Sequence, residues 1–112
     1  MSRVSLVELA AKYFRQNGYK VERDTVLEGV SGLSQKFDMV ISKGKEQHSV
    51  WIKDWKRTVG VNIVINIDKA SEDVGLPKPI MISEKFSGHA KAYANRRGIM
   101  LLSKRQILRM LG

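Results

Sequence analysis

Short apolar segments alternate with amphipathic ones along this sequence, and the alternation leaves few folds open. The helical spacing of Leu6, Leu9 and Phe14 predicts a first helix over about Val4–Asn17, which ends before Gly18. Turn residues at 28–32 and 43–46 then separate period-two segments. These segments predict three strands, at about Tyr19–Val26, Gln35–Ser42 and Ser49–Trp55.

The stretch Val59–Val74 fits two patterns. Its valines and isoleucines alternate as in a strand, which local propensity favours, while Ile63, Ile67 and Ala70 keep helical spacing. The remaining segments are clearer, and a capping box of Ser103 with Gln106 opens the last of them. They predict a strand at Pro79–Ser83, a helix at Ser87–Arg97, a strand at Ile99–Leu102 and a final helix to Leu111.

With a helix from about Asn62, the order becomes α-β-β-β-α-β-α-β-α. This order predicts one α/β domain over residues 1–112, a mixed central sheet flanked by helices. The length of 112 residues suits a single domain, and Met1 with the capped last helix leads us to expect a complete one. Cysteine is absent, which excludes disulfides and Cys nucleophiles. We expect a cytoplasmic protein without a membrane span or signal peptide.

Positive charge is the first indication of function. Twenty Lys and Arg residues against eleven Asp and Glu give a net charge of +9. From Lys85 to the end there are seven basic residues and no acidic one. Such asymmetry favours a polyanionic partner, because neutralised phosphates release counterions. An inert basic surface is the alternative, and a membrane surface fits less well because the basic residues do not line one amphipathic helix.

Catalytic motifs are scarce. The sequence has no P-loop, GxGxxG, nucleophile elbow or HExxH, and its histidines, His48 and His89, are isolated. What remains is Asp38, a charged residue in an apolar strand, which needs a partner or a bound cation. On the next strand Lys53 provides one option, since an Asp38 ion pair with Lys53 or Lys56 would satisfy the carboxylate.

Strand periodicity sorts the residues around Lys53. Trp51, Lys53 and Trp55 share one face of the third strand, and Asp54 lies on the other. The two tryptophans are therefore candidates for stacking on bases, or else they belong to the core.

Three groups of residues carry a resemblance to a known family. They are Asn17-Gly18-Tyr19, Gly29–Gly32 leading to Phe37-Asp38, and Lys53–Arg57 followed by Val59-Gly60-Val61. From about Leu6 to Leu102 the chain resembles the PD-(D/E)xK nuclease fold. It is most similar to the Mrr-type, restriction-endonuclease-like branch and its archaeal relatives, and more distantly to Holliday junction resolvases. In this fold a helix follows the lysine strand, which favours a helix at Asn62–Val74.

The resemblance implies DNA cleavage with Mg²⁺ or Mn²⁺. In the family, an Asp on strand two and an acid two residues before the strand-three Lys hold the metal, and the Lys orients or polarises the attacking water. By position, Asp38 is the metal and catalytic Asp, Lys53 the catalytic Lys and Glu8 the acid of helix one. However, Trp51 stands where the second acid belongs, and an indole nitrogen only donates. Asp54 with Lys56 restores the acid-x-Lys spacing on the opposite face.

Glu8 has a second explanation, as the helical i,i+4 partner of Lys12.

Three functional hypotheses follow. The first is a nucleic-acid-binding protein, with DNA as partner and weak or no catalysis. Its phosphate contacts, beside Lys53, would be Lys36, Lys56, Arg57, Lys91, Arg96, Arg97, Lys104 and Arg105. The second is an active endonuclease that uses Mg²⁺ or Mn²⁺ with Asp38 and either Asp54 or Glu8. The third is a non-catalytic subunit of a DNA-processing complex or a homodimer, for which the apolar last helix supplies an interface or caps the core.

Overall fold

The structure is a computed structural model that describes residues 4–112. Met1, on which the expectation of a complete domain partly rests, lies outside the described residues. Residues 4–112 form nine elements in the predicted order. They are α1 (Leu6–Gln16), β1 (Lys20–Glu28), β2 (Ser34–Lys43), β3 (Glu46–Val59), α2 (Val61–Asp73), β4 (Ile80–Phe86), α3 (Gly88–Arg97), β5 (Met100–Ser103) and α4 (Lys104–Leu111). Within residues 4–112, no helix has the length and apolar character needed to cross a membrane.

One five-stranded sheet in the order β1-β2-β3-β4-β5 forms the centre of the fold. The first three strands pair antiparallel and the last three parallel, which confirms the predicted mixed sheet. On one face α1 and α4 cover a core that includes Leu6, Ile52 and Ile107. On the other face α2 and α3 cover Ile67 and Met81. Helices therefore flank the sheet on both sides, as expected for an α/β domain.

The ambiguous segment after β3 is a helix, α2, which confirms the prediction from Asn62 onward. Its buried positions include Val64, Ile67, Ala70 and Ser71, which follow helical spacing. Ile63, one of the residues that alternate as in a strand, lies at the flank of the same buried stripe and is itself partly buried. An apolar residue at this position therefore fits the helix as well. Burial against the sheet decides the conformation over local strand propensity.

The last helix, α4, begins with the predicted capping box. The Ser103 hydroxyl accepts from Gln106 N, and the Gln106 side chain accepts from Ser103 N. Ile107 is fully buried in the core, while Leu108 and Met110 are 47% and 52% exposed. The helix thus caps the core with one residue and leaves two apolar side chains on the surface.

The β1–β2 hairpin folds over the C-terminal end of α2. Asp73 holds its tip, because the carboxylate accepts from Ser31 N at 2.9 Å, Ser31 Oγ at 2.7 Å and Gln35 Nε2 at 3.0 Å. These bonds, with Gln35 contributing most, lower the pKa of Asp73. A Cβ on Gly29 would lie 1.8 Å from Asp73 Oδ2, so a larger residue there would force the hairpin tip or the carboxylate to move. Phe37 of β2 packs against α2 at Ala70.

Candidate functional site

A cleft opens where β2 and β3 stop pairing. Their ladder runs from Lys43↔Glu46 to Met39↔Val50, and beyond it the two strands diverge. Two hydrogen bonds, each between a side chain of one strand and the backbone of the other, connect the diverging segments. The β2–β3 cleft has a volume of about 310 Å³ and is lined by Asp24, Lys36, Phe37, Asp38, Trp51 and Lys53. The structure therefore brings together Asp38, Lys53 and Lys36, which the sequence predicted as site residues.

Asp38 is satisfied by the backbone of the neighbouring strand. Its Oδ2 accepts a hydrogen bond from Ile52 N at 2.7 Å. Within residues 4–112, no Lys or Arg nitrogen lies within 4.0 Å of the Asp38 carboxylate, so the ion pair with Lys53 or Lys56 does not form. A carboxylate in an apolar strand needs a hydrogen-bond donor. Here the donor is the backbone N–H of Ile52, which lies beyond the last β2–β3 pair and so has no carbonyl partner on β2.

Lys53 contacts aromatic rings. Its Nζ lies 5.7 Å from the centroid of Trp51 and 5.5 Å from that of Trp55. The guanidinium of Arg57 lies 4.1 Å from the Trp55 centroid. Trp51, Lys53, Trp55 and Arg57 thus form an aromatic–cation row along β3, in which the ring quadrupoles attract the positive charges. This row confirms that Trp51, Lys53 and Trp55 share one face.

Both indole N–H groups of the aromatic–cation row are turned toward the protein. Trp51 Nε1 donates to the Lys36 carbonyl at 3.0 Å. Trp55 Nε1 is buried and has no hydrogen-bond partner among residues 4–112. Both rings also pack against the core under α2 and α3. The tryptophans are therefore partly core residues whose remaining ring surface faces cations.

Asp54 lies apart from the cleft. Its Oδ2 is 3.4 Å from Leu6 N at the first turn of α1, on the sheet face opposite Lys53. A carboxylate at this position complements the positive end of the helix dipole. Glu8 is exposed in the same first turn, where its backbone N–H donates to Ser5 Oγ at 3.1 Å. The structure thus associates Asp54 with the start of α1 and separates it from Asp38 and Lys53.

Asp24 is a cleft residue that sequence reasoning missed. The β1–β2 register pairs Arg23 with Met39 and Thr25 with Phe37, which places Asp24 opposite Asp38. Its φ of +48° is in the left-handed region, which Asp tolerates better than most residues. In the sequence, Asp24 stands among polar residues, which is typical of a solvated position on an edge strand. Counting the hairpin register outward from the turn at 29–32 would have found it.

The cleft residues do not fit the magnesium site that the resemblance implies. The indole at position 51 offers no ligand, and Asp38 already accepts from Ile52 N. Residues 4–112 contain no group of three or more His, Asp or Glu side chains placed to hold a metal ion. Asp24 and Asp38 bring two carboxylates to the cleft, but Lys36 and Lys53 line it as well, and their positive charges oppose a divalent cation.

Basic residues gather at the edge of the sheet where β3, β4 and β5 end. Between Lys53↔Ser83 and Thr58↔Lys85, β3 uses five steps against two on β4, so Asp54–Arg57 bulges outward. Lys56 and Arg57 in this bulge are exposed. The helices that follow the three strands also begin at this edge, with their positive dipole ends directed toward it.

Two adjoining grooves continue along the same edge. Their volumes are about 600 and 560 Å³, and they share Glu84, Lys85 and Ser103. Lys91 from α3 and Lys104 and Arg105 from α4 flank them. We call Lys56, Arg57, Lys85, Lys91, Lys104 and Arg105 the basic edge. Five of these six residues were predicted as phosphate contacts, and Lys85 joins them.

Arg96 and Arg97 lie elsewhere, in the last turn of α3. Arg97 Nε donates to the buried carboxylate of Asp68 at 2.9 Å, and Tyr93 Oη donates to the same oxygen at 2.7 Å. The Asp68 carboxylate raises the pKa of Arg97. Arg97 therefore connects α3 to α2 through an ion pair.

The histidine at position 48 belongs to a polar cluster near the β2–β3 turn. Its Nε2 lies 2.6 Å from Glu46 Oε2, and its Nδ1 lies 2.9 Å from the Lys78 carbonyl. Tyr19 Oη donates to the same Glu46 oxygen at 2.6 Å, and this bond contributes most to a lowered Glu46 pKa. The cluster fastens the start of β1 and the segment before β4 to the hairpin, away from the cleft.

Comparison with known proteins identifies the fold. A crystal structure described as "Protein of Unknown Function AF1548" matches with a TM-score of 0.84 at 19% sequence identity. The match covers 96% of this chain and 66% of the other, so the chain spans just under two thirds of that protein's length. No curated protein matches the sequence. Residues 1–111 match the family Mrr_cat, described as restriction endonuclease. The chain therefore belongs to the Mrr_cat restriction endonuclease family, which confirms the resemblance read from its sequence.

Proposed function

We propose that this domain binds nucleic acid, with DNA as its principal partner, and that it cleaves weakly or not at all. The observation that carries the proposal is the basic edge, whose bulge follows directly on Lys53 of the cleft, where Trp51 stands at the position of the second metal-binding acid. Six basic side chains at one edge attract a phosphate backbone and release its counterions. The family supports DNA as the ligand class.

The contacts are expected to be to phosphates. The ring surfaces of Trp51 and Trp55 already face Lys53 and Arg57, so bases would have to displace those cations in order to stack. Phosphate contacts fix the position of a nucleic acid without reading its sequence. We therefore expect little dependence of affinity on base sequence and a steep dependence on salt.

The experiment is fluorescence anisotropy with labelled duplex, single-stranded and branched DNA over a range of KCl concentrations. A variant in which Lys85, Lys104 and Arg105 are changed to Gln should bind several-fold more weakly, with a shallower dependence on salt. The matched control changes the exposed Lys12, Lys20 and Lys45 to Gln, which removes the same charge away from the basic edge. Equal losses in both variants, or no binding by the wild type, would contradict the proposal.

An active metal-dependent endonuclease is the second candidate. One observation favours it, because Asp24 lies opposite Asp38 and brings a second carboxylate to the cleft. The test is cleavage of the same DNA substrates with Mg²⁺ or Mn²⁺. Cutting by the wild type that is lost in both Asp38→Asn and Asp24→Asn would establish this candidate. Cutting that persists in both variants would point to a contaminant.

A further inference from the structure

The cleft has a cation of its own, Lys53, beside the position where its family binds a metal. Lys53 reaches into the β2–β3 cleft that contains Asp38, and Trp51 stands at the position of the missing acid. The exchange of an acid for an indole removes one negative charge from the cleft. Lys36 and Lys53 then balance Asp24 and Asp38, so the cleft needs no divalent ion for electrical neutrality.

The Lys53 ammonium and the Lys53 backbone are each held by a contact of their own. Its Nζ lies between the rings of Trp51 and Trp55, at 5.7 and 5.5 Å from their centroids. Its backbone is fixed as well, because Ser83 Oγ donates to the Lys53 carbonyl at 2.7 Å. Within residues 4–112, Lys53 has no carboxylate within 4.0 Å. The charge is therefore ordered by neutral rings and is not neutralised by an ion pair.

Trp51 also fixes the walls of the cleft. Its Nε1 donates to the Lys36 carbonyl at 3.0 Å, across the gap where β2 and β3 no longer pair. A metal ion shared between carboxylates of the two strands would hold the walls together in a comparable way. Here the hydrogen bond from the uncharged Trp51 side chain connects β2 with β3, and it needs no bound metal ion.

We propose that Lys53, held between Trp51 and Trp55, binds a phosphate of the nucleic-acid backbone directly and makes binding independent of divalent metal. The inference rests on the proposed function, because it concerns how the same cleft receives the same ligand. Lys36 faces the same space, and the exposed Lys56 and Arg57 of the bulge continue the positive surface outward. A phosphodiester carries a single negative charge, which one ordered ammonium can match.

The experiment measures the affinity for labelled duplex DNA in EDTA and in millimolar MgCl₂, with KCl adjusted to equal ionic strength. The wild type should bind equally in both, within about twofold. Lys53→Met should bind about three- to tenfold more weakly in both buffers, because it removes a phosphate contact and keeps the packing of the stem. Lys45→Gln, which removes a charge at the β2–β3 turn, is the matched control and should lose less.

Trp51→Glu tests the exchange itself. It should bind DNA more weakly than the wild type in EDTA and regain affinity on addition of MgCl₂. Calorimetric titration with MgCl₂ alone should show heat for Trp51→Glu and none for the wild type. Trp51→Phe, which keeps a ring and adds no charge, should remain independent of magnesium.

Each outcome separates the two proposals. Wild-type binding that requires magnesium would overturn the inference and leave the proposed function standing. Binding without magnesium that Lys53→Met weakens no more than Lys45→Gln would also overturn it. Absence of binding in both buffers would overturn the proposed function itself. The comparison of Lys53→Met with Lys45→Gln decides the matter even if Trp51→Glu does not fold.

Discussion

The Asp38 carboxylate accepts a hydrogen bond from the Ile52 amide at 2.7 Å, just beyond the last rung of the β2–β3 ladder at Met39↔Val50. The two strands separate at this point, and the side chain of one strand replaces the carbonyl that would have continued the pairing. The residue that the resemblance assigns to metal binding therefore has a structural task in this chain.

Asp38→Ala should destabilise the fold. It leaves the amide of Ile52, a residue that is 7% exposed, without its acceptor, and such a loss costs about 1–3 kcal/mol. Asp38→Asn keeps an acceptor oxygen and should stay close to the wild type. Urea denaturation of the three proteins measures the difference. Equal stabilities for the Ala and Asn variants would show that the hydrogen bond contributes nothing.

Gly29→Ala should be disruptive, since its Cβ would meet Asp73 Oδ2 at 1.8 Å. Either the hairpin tip or the carboxylate must move, and we expect a loss of about 1–3 kcal/mol in the free energy of unfolding. The control is Gly88→Ala at the first position of α3, where a Cβ meets nothing within 4 Å. That change should be neutral or slightly stabilising, because Ala favours a helix over Gly. Thermal denaturation compares the two, and a harmless Gly29→Ala would contradict the geometry.

Stability should depend on pH through Asp73. The folded-state pKa of this carboxyl is lowered, first by Gln35 and then by Ser31, so its contribution is fully present above the ordinary Asp pKa of about 3.9. The contribution is lost as the pH falls through the lowered folded-state value, where both states are protonated. The stability gap between the wild type and Asp73→Asn should therefore be larger at neutral pH than in strong acid. Chemical denaturation at both pH values tests this, and a gap that widens in acid would have the wrong sign.

The bulge should contribute to the salt dependence of DNA binding. Lys56→Gln and Arg57→Gln should each lower the slope of log affinity against log salt by about 1, because each removes one phosphate contact. Arg96→Gln, an exposed change in the last turn of α3, should leave the slope unchanged. Anisotropy titrations at several KCl concentrations give the slopes. Similar effects from all three variants would mean that net charge alone controls binding.

The order of the elements was predictable, because turn residues and apolar periodicity separate them clearly. The helix α2 was assigned through the family resemblance, since its isoleucines satisfy two periods at once. The bulge at Asp54–Arg57 was not predictable, because the extra residues depend on how β3 pairs with β4 and leave no mark in the composition. The role of Arg97 was hidden for a similar reason, since its partner Asp68 is distant in sequence.

The aromatic–cation row has a spectroscopic consequence. The chain contains two tryptophans, Trp51 and Trp55, and both belong to this row, so the whole indole emission of the protein originates beside the cleft. An ammonium or guanidinium group over an indole alters the local electric field that the excited ring experiences. Any ligand that draws Lys53 or Arg57 off the rings will therefore change the emission. The domain carries a built-in fluorescent reporter of its own cleft, free of background from any other tryptophan.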